Sequence, residues 1–278
     1  MKRNKKMKET LEIGLLIIGD EILSGKRNDK HFSQSKEILH EKGLIIDWVF
    51  YVRDNLSDLE KFLRMTLKSN ATVFSFGGIG STPDDLTRQA CANALGVQLE
   101  PNAEAIDLIK KSCESRDMDI TSARLEMGSF PENSDIIPNE VNGFPGFSMK
   151  RHFFFPGFPN MAKPMMQWVL EEKYSGYFSD CGEIEFYFKV SNLFESSISD
   201  SLKSLEKIYS LVSFYSLPSI SREKVDKESI SLELGIKYRG VNFKMHDVQA
   251  CFEGAKRDLR QEIKKLGGVI LEESMEKR

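Results

Sequence analysis

The sequence predicts an α/β fold for its first two-thirds, with a mostly parallel sheet between two layers of helices, followed by a smaller α+β domain. Short continuous apolar runs, typical of strands buried on both faces, alternate there with amphipathic helical patterns. Such alternation favours a parallel sheet covered by helices. Near residues 174–182 the pattern changes to strands of alternating polarity. The length of 278 residues also suits two domains, since one domain takes about 150.

The first domain is predicted over residues 11–175. Ile13–Ile18 is a continuous apolar run that ends in Gly19-Asp20, which is typical of a buried strand. From about residue 28 to 42 the apolar residues fall on one helical face, and Gly43 is well placed as the stop. The same criteria predict, in order, strand Leu44–Val52, helix Leu56–Ser69, strand Ala71–Phe76, helices Leu86–Ala94 and Ala103–Arg116, strand His152–Phe155 and helix Asn160–Lys173.

The second domain is predicted over residues 179–273 and has a β-α-β-β-α-β order. This order is typical of a small sandwich of the ferredoxin-like kind, and a KH-like arrangement is the alternative. The predicted elements are strand Glu183–Val190, helix Glu195–Ile208, strands Leu211–Leu217 and Ser229–Tyr238, helix His246–Leu266 and a possible strand Val269–Leu271.

Composition argues against several classes of protein. Hydrophobic residues make up 40% and charged residues 29%, and the net charge is -3, so no general attraction to nucleic acid or to a membrane surface is expected. No apolar run approaches the roughly 20 residues of a membrane span. The four cysteines are far apart and show no zinc spacing, which favours a reduced, cytoplasmic setting. The basic start (Lys2, Arg3, Lys5, Lys6, Lys8) is expected to be a solvated terminus.

The strongest functional signal is the segment Gly77–Thr87, which directly follows a predicted buried strand. Three glycines within four residues allow positive φ angles and a close approach of backbone to a ligand. The next helix is expected to begin near Asp84 or Asp85, where its N-terminal amides favour an anion. A tight turn with a capping aspartate is the alternative, but the three glycines and two hydroxyls favour a ligand. The candidate binding residues are Gly77, Gly78, Gly80, Ser81, Thr82 and Thr87.

The carboxylates of Asp84 and Asp85 would repel a phosphate unless another charge offsets them. A divalent cation such as Mg²⁺ is the natural partner, although one of the two aspartates is alternatively the helix cap. A second cluster, Gly19–Gly25, follows the first strand and offers Gly19, Asp20, Glu21, Ser24 and Gly25 to a metal, a sugar or a phosphate. A plain strand-to-helix turn explains this cluster equally well. Because the carboxyl ends of parallel strands share one edge, both clusters are expected to converge.

Loops rich in proline and glycine form a third group, which contains Asn139, Gly146, Pro156 and Gly157. Such loops are rigid, and structural corners are at least as well favoured as ligand contacts. In a ligand site, Asn139 would hydrogen-bond a base or pterin edge. The four histidines are isolated, His31 being the one that could reach the cleft. No Ser-His-Asp or Cys-His arrangement is evident, so covalent catalysis is not expected.

In combination, Gly19–Gly25, Gly77–Thr87, Pro145-Gly146 and Pro156-Gly157 resemble the molybdenum-cofactor-biosynthesis (MoaB/Mog-like) family. The closest resemblance is to the N-terminal domain of the CinA (competence/damage-inducible protein A) family. That family reads Gly-Asp-Glu-Leu-Leu-Ser-Gly and then Gly-Gly-Leu-Gly-Pro-Thr-x-Asp-Asp-x-Thr. Here Ile22 and Ile79 stand for leucines, and Ser81 stands for the proline. The resemblance covers roughly residues 11–175.

The resemblance implies a three-layer α/β domain that binds molybdopterin or a nucleotide at these loops, with Asp85 important and Asp54 contributing. The domain is then either a binding protein or a metal-dependent pyrophosphatase that acts on ADP-ribose or a dinucleotide such as FAD. In the enzyme, Asp20, Asp84 and Asp85 would be the catalytic residues that position Mg²⁺ or Co²⁺.

The resemblance also bears on the rest of the chain. The amidase domain found after this module in full-length CinA proteins is not expected here. The C-terminal module lacks a clear Gly-x-x-Gly loop, so nucleic-acid binding is not expected either. A homo-oligomer is expected, because relatives commonly form dimers or trimers.

Overall fold

A computed structural model describes residues 11–178, 183–220, 230–239 and 246–277. The described residues divide into two compact units, the first formed by residues 11–41 and 45–178, the second by residues 42–44 and the described residues from 183 onward. The basic start, Cys181 and the predicted beginning of a strand at Ser229 lie outside the described residues.

The first unit alternates strands and helices, as predicted. Its elements are β1 (Ile13–Ile18), α1 (Asp20–Leu23), α2 (His31–Glu41), β2 (Trp48–Val52), α3 (Leu56–Thr66), β3 (Thr72–Phe76), α4 (Thr87–Leu95), β4 (Leu99–Pro101), α5 (Ala103–Ser115), α6 (Ser122–Glu126), β5 (Ser129–Pro131), β6 (Asp135–Ile137), β7 (Gly146–Met149), β8 (His152–Phe155) and α7 (Pro159–Tyr174).

Six of these strands form one sheet in the order β2-β1-β3-β8-β7-β6. The pairings of β1 with β2, β1 with β3 and β3 with β8 are parallel, and those of β7 with β8 and β6 with β7 are antiparallel. The predicted α/β fold with a mostly parallel sheet is therefore confirmed. The sequence did not predict β6 and β7, because their proline- and glycine-rich surroundings are typical of loops.

Helices cover both faces of this sheet. Alternate side chains of a strand point to opposite faces. Val73 of β3 packs in one core with Leu59 and Leu63 of α3, whereas the ring of Phe76 stacks on His31 of α2 with 4.7 Å between ring centroids. Residues 73 and 76 are an odd number of positions apart, so their side chains point to opposite faces of the sheet. The helices α2 and α3 therefore cover opposite faces, which gives three layers.

The strands that matter for function end level with one another. The register pairs Ile17 with Phe76 and Phe76 with Phe155. The segments after β1, β3 and β8 therefore leave the sheet at the same edge, side by side.

The second unit contains β9 (Glu183–Ser191), α8 (Glu195–Ile208), β10 (Ser213–Ile220), β11 (Ile230–Arg239), α9 (His246–Lys265) and β12 (Val269–Lys277). Its four strands form an antiparallel sheet in the order β10-β11-β9-β12. This is the ferredoxin-like arrangement, one of the two predicted alternatives. Its core includes Phe186, Phe188, Phe252 and Leu259.

In the described part of the chain, none of the helices combines the length and the apolar character needed to cross a membrane.

Candidate functional site

A cavity of about 410 Å³ lies in the first unit, at the edge where β1, β3 and β8 end. The segments after these three strands line it, together with the loop around residues 139–145. Apart from Ile18, which ends β1, its lining residues are Gly19, Glu21, Arg27, Asp54, Gly77, Gly78, Ile79, Gly80, Ser81, Thr82, Asp84, Asp85, Met127, Asn139, Asn142, Phe144, Pro145, Pro156, Gly157, Phe158 and Met161.

Most of the predicted site residues meet at this cavity. Five do not line it: Asp20, Ser24, Gly25, Thr87 and Gly146. Ser24 and Gly25 are exposed at the end of α1. Gly146 is a buried residue of β7, where a side chain would meet the carbonyl oxygen of Phe154 at 2.3 Å.

The glycines of the loop after β3 are required by the protein itself. Gly77 and Gly78 have φ angles of 104° and 70°, which favour glycine. A Cβ atom at Gly78 would lie 2.1 Å from Thr87 Oγ1, and one at Gly77 would lie 2.4 Å from the carbonyl oxygen of Ile18. The loop can therefore follow this path only with glycine at both positions.

Residues at the start of α4 bind the carbonyl groups of this loop. The buried Thr87 donates from Oγ1 to the carbonyl oxygen of Gly77 (3.1 Å) and from its backbone N–H to that of Gly78 (3.0 Å). Arg88 donates from Nη2 to the carbonyl oxygen of Gly80 (2.7 Å) and from Nη1 to that of Glu126 (2.7 Å).

Four consecutive backbone N–H groups of the same loop form no hydrogen bond within the described residues. They belong to Gly78, Ile79, Gly80 and Ser81, which we call the amide row. All four residues line the cavity. Successive backbone N–H groups in a turn bind anions, as in phosphate-binding loops.

Asp85 closes the loop with hydrogen bonds. Its Oδ2 accepts from the backbone N–H of Thr82 (2.8 Å) and from Thr82 Oγ1 (2.5 Å). No side chain caps α4, which begins at Thr87 rather than near Asp84 or Asp85. The neighbouring Asp84 is exposed, and the nearby polar hydrogens of Thr82 and of its own backbone lower the pKa of its carboxyl group.

Carboxylates also gather on the β1 side of the cavity. Asp54 accepts a hydrogen bond from the backbone N–H of Asp20 (2.9 Å). Burial raises the pKa of Asp54, the N–H of Asp20 opposes this, and the carboxylates of Glu21, Asp20 and Asp84 raise it further. The side chain of Asp20 instead pairs with Arg53 at 3.2 Å, in an exposed position.

No ready-made metal centre is assembled by these acids. Among the residues that the structure describes, no three or more His, Cys, Asp or Glu side chains are grouped so that they could hold a metal ion. Of the predicted metal ligands, Asp20 is bound to Arg53 and Asp85 to Thr82. Asp84 carries an exposed carboxylate at the cavity.

Two arginines at this site, Arg27 and Arg88, were not predicted from the sequence. Arg27 is the single cationic side chain among the lining residues, and in residues 11–178 no carboxylate forms an ion pair with it. It stands two residues beyond the Gly19–Gly25 motif, and only its nearness to that motif could have drawn attention to it. Arg88 directly follows Thr87 in the sequence. It does not line the cavity but binds the carbonyl oxygen of Gly80 in the loop.

Apolar side chains form another part of the wall: Ile79, Met127, Phe144, Pro145, Pro156, Phe158 and Met161. Asn139 lines the cavity but is only 5% exposed. Its Nδ2 donates to Asn142 Oδ1 (2.7 Å) and to the carbonyl oxygen of Phe144 (2.9 Å), and its Oδ1 accepts from the N–H of Val141 (3.1 Å). Both amide hydrogens of Asn139 are thus used to shape its own loop.

The sequence model of a family described as "Probable molybdopterin binding domain" matches residues 14–174, which include all the residues that line the cavity. Protein SSO0103 of Saccharolobus solfataricus is 26% identical over 261 residues, covering 92% of this chain and 93% of that protein. A CinA-like protein of Sulfurihydrogenibium sp. is 31% identical over 163 residues, covering 56% of this chain and 41% of that protein. A crystal structure described as the protein CinA with unknown function, from Thermoplasma acidophilum, aligns with a TM-score of 0.52 and 25% identity, covering 59% of this chain and 98% of that chain.

Proposed function

Because this chain belongs to the molybdopterin-binding domain family through residues 14–174, we propose that its cavity binds a small phosphate-bearing ligand of the molybdopterin or nucleotide kind. The observation that carries this proposal is the amide row, four consecutive N–H donors without an acceptor in the described residues. A phosphate group supplies the anionic oxygens that such donors bind.

The rest of the wall fits the other parts of such a ligand. The cavity volume of about 410 Å³ is in the range of small-molecule sites, about 300–1,000 Å³. The apolar side chains of Ile79, Phe144 and Phe158 suit the faces of a planar ring. The guanidinium group of Arg27 adds a positive charge for the phosphate, and the carboxylates of Asp54 and Asp84 can accept hydrogen bonds from ring N–H groups.

Two measurements test binding. Native mass spectrometry of the purified protein should reveal a co-purified pterin or nucleotide, and calorimetric titration with ADP-ribose, AMP and FAD should give saturable binding of at least one. A protein that carries no phosphate-bearing compound and binds none of these three probes would contradict the proposal.

A metal-dependent pyrophosphatase that cleaves ADP-ribose or a dinucleotide such as FAD is the second candidate. The observation that favours it is a pair of carboxyl groups with opposite pKa shifts at one cavity, raised at Asp54 and lowered at Asp84. Carboxyl groups whose pKa values are pushed apart by their surroundings are a feature of acid–base sites. A bound Mg²⁺ or Co²⁺ would polarise a phosphoryl oxygen and lower the pKa of a bound water. Asp84 would hold the cation together with phosphate oxygens of the ligand.

Release of AMP from ADP-ribose separates the two candidates. The enzyme should release AMP with Mg²⁺ or Co²⁺ and stop with EDTA, and the variants Asp84→Asn and Asp54→Asn should lose this release. Asp58→Asn, in the first turn of α3 and outside the cavity wall, is the matched control and should keep it. Binding of ADP-ribose without turnover under either metal would leave a binding protein.

A further inference from the structure

We propose that Arg88 is a positioning residue that aims the amide row at the ligand. This inference rests on the proposed function, because it concerns the loop that would receive the phosphate. Arg88 does not line the cavity. Its contact with the loop is a hydrogen bond to the carbonyl oxygen of Gly80.

The bond from Arg88 to the carbonyl group of Gly80 sets the direction of the next N–H group. In a planar trans peptide, the carbonyl group of one residue and the N–H group of the next point in opposite directions. Arg88 Nη2 holds the carbonyl oxygen of Gly80 at 2.7 Å. The N–H group of Ser81 is thereby turned away from Arg88.

Thr87 completes the same pattern for the neighbouring peptides. Its Oγ1 holds the carbonyl oxygen of Gly77 and its N–H holds that of Gly78. These two bonds set the directions of the N–H groups of Gly78 and Ile79. Three of the four donors of the amide row are therefore aimed by hydrogen bonds to the preceding carbonyl group.

The guanidinium group of Arg88 binds two carbonyl oxygens at once. Arg88 is only 8% exposed, and its second nitrogen, Nη1, donates to the carbonyl oxygen of Glu126 at the end of α6. The planar fork of a guanidinium group can reach two carbonyl groups at once, whereas a lysine ammonium is a single point of charge. Burial lowers the pKa of Arg88, and the carboxylates of Asp85 and Glu126 oppose this lowering.

Loss of the bond between Arg88 and the carbonyl oxygen of Gly80 would release the next peptide unit. Gly80 has no side chain to restrain its backbone, so the peptide between Gly80 and Ser81 is free to rotate. A rotated peptide would present a carbonyl oxygen, which repels phosphate, in place of an N–H donor. Hydrogen bonds to charged groups contribute about 1.5–3 kcal/mol, so loss of one corresponds to about a tenfold or greater loss of affinity.

The test compares Arg88→Gln and Arg88→Lys with Arg64→Met. Arg64 is the matched control because it also donates to two backbone carbonyl oxygens of the α4 end, those of Asn93 (2.8 Å) and Ala94 (3.4 Å), without lining the cavity. The Arg88 variants should bind ADP-ribose about tenfold more weakly, with Arg88→Lys closer to the native protein. Arg64→Met should bind like the native protein, even if it is equally destabilised in urea.

A nuclear magnetic resonance measurement without ligand keeps this inference separate from the proposed function. The ¹⁵N–¹H signal of Ser81 should shift in both Arg88 variants and stay in place in Arg64→Met. An unshifted Ser81 signal in a folded Arg88 variant would overturn the inference, whether or not ADP-ribose binds. Failure of the native protein to bind any probe, with the Ser81 signal shifted as expected, would overturn the proposed function alone. Arg88→Lys keeps the charge, so it serves if Arg88→Gln does not fold.

Discussion

At the scale of single residues, Arg27 supplies the positive charge of a cavity whose other charged lining residues are the acids Glu21, Asp54, Asp84 and Asp85. Its backbone N–H donates to the carbonyl oxygen of Glu21 at 2.9 Å, which ties this segment to α1. The backbone of Arg27 is thus held beside α1, and its exposed guanidinium group offsets part of the acidic charge of the wall.

We predict that Arg27→Ala weakens the binding of AMP by about tenfold, because one hydrogen bond to a charged group is lost. Calorimetric titration measures this. Lys26→Ala removes the same charge next to the cavity, without altering its wall, and should leave the affinity nearly unchanged. Equal losses in the two variants would show that only the overall charge matters.

Asp54 gives a second prediction, for stability. A carboxyl group whose pKa is raised by folding favours its protonated form in the native state, so its ionised form destabilises the protein above the unfolded pKa. We expect Asp54→Asn to raise the unfolding temperature at pH 7, since an asparagine oxygen can still accept from Asp20 N–H. The gain should shrink as the pH falls toward 3. A lower unfolding temperature at pH 7 would contradict this assignment of the pKa shift.

At the scale of elements, the loop between β3 and α4 depends on contacts of glycine with α4. The sequence predicts that the glycines allow a close approach of backbone to a ligand, and the structure shows in addition that a Cβ atom at Gly78 would lie 2.1 Å from Thr87 Oγ1. Thr87 of α4 thus packs against the loop, and this contact does not depend on a ligand.

We predict that Gly78→Ala destabilises the protein by more than about 2 kcal/mol, because it combines a positive φ angle with this clash. Gly96→Ala is the matched control: Gly96 has φ 71° and no atom within 4 Å of a Cβ atom, so it should cost only about 1 kcal/mol. Urea denaturation measures both. Similar values for the two variants would mean that Thr87 moves aside easily.

The contact between β8 and α3 contains a buried histidine that makes stability depend on pH. His152 is 1% exposed, and burial lowers its pKa to about 4. His152 Nε2 lies 2.9 Å from Thr66 Oγ1, within hydrogen-bonding distance. The other ring nitrogen, Nδ1, has no partner among the described residues.

We therefore expect stability to fall as the pH drops from about 6.5 toward 4, because the unfolded chain binds a proton there and the folded one does not. His152→Gln keeps a hydrogen-bonding group for Thr66 and should reduce this dependence, as measured by urea denaturation at pH 7 and 5. Burial also lowers the pKa of His31, which adds a dependence of the same sign. His246→Gln, at an exposed histidine, is the matched control substitution.

At the scale of the whole molecule, assembly into a homo-oligomer stays a prediction. The strand β2 ends the six-stranded sheet, and it carries the 42% exposed side chain of Tyr51. An edge strand with exposed apolar surface is a common place for contact between copies. Light scattering after gel filtration should give a multiple of 31.7 kDa, and a single-chain mass at every concentration tested would contradict the prediction.

The sequence by itself determined the fold class and brought the glycine-rich motifs to one edge of the sheet. Both depend on local information: continuous apolar runs mark buried strands, and parallel strands deliver the segments after them to the same side. Gly77 and Gly78 were recognisable for the same reason, since a positive φ angle is a property of the chain at that point.

Only the tertiary structure decided which polar groups are free for a ligand. Asp85 and Asn139, predicted as binding groups, line the cavity and also form hydrogen bonds within their own loops, whereas Arg27 and Arg88 were not predicted from the sequence. Hydrogen-bond partners are chosen by distance in space between segments that are remote along the chain, as Arg88 and Glu126 are. No pattern of spacing along the sequence contains that information.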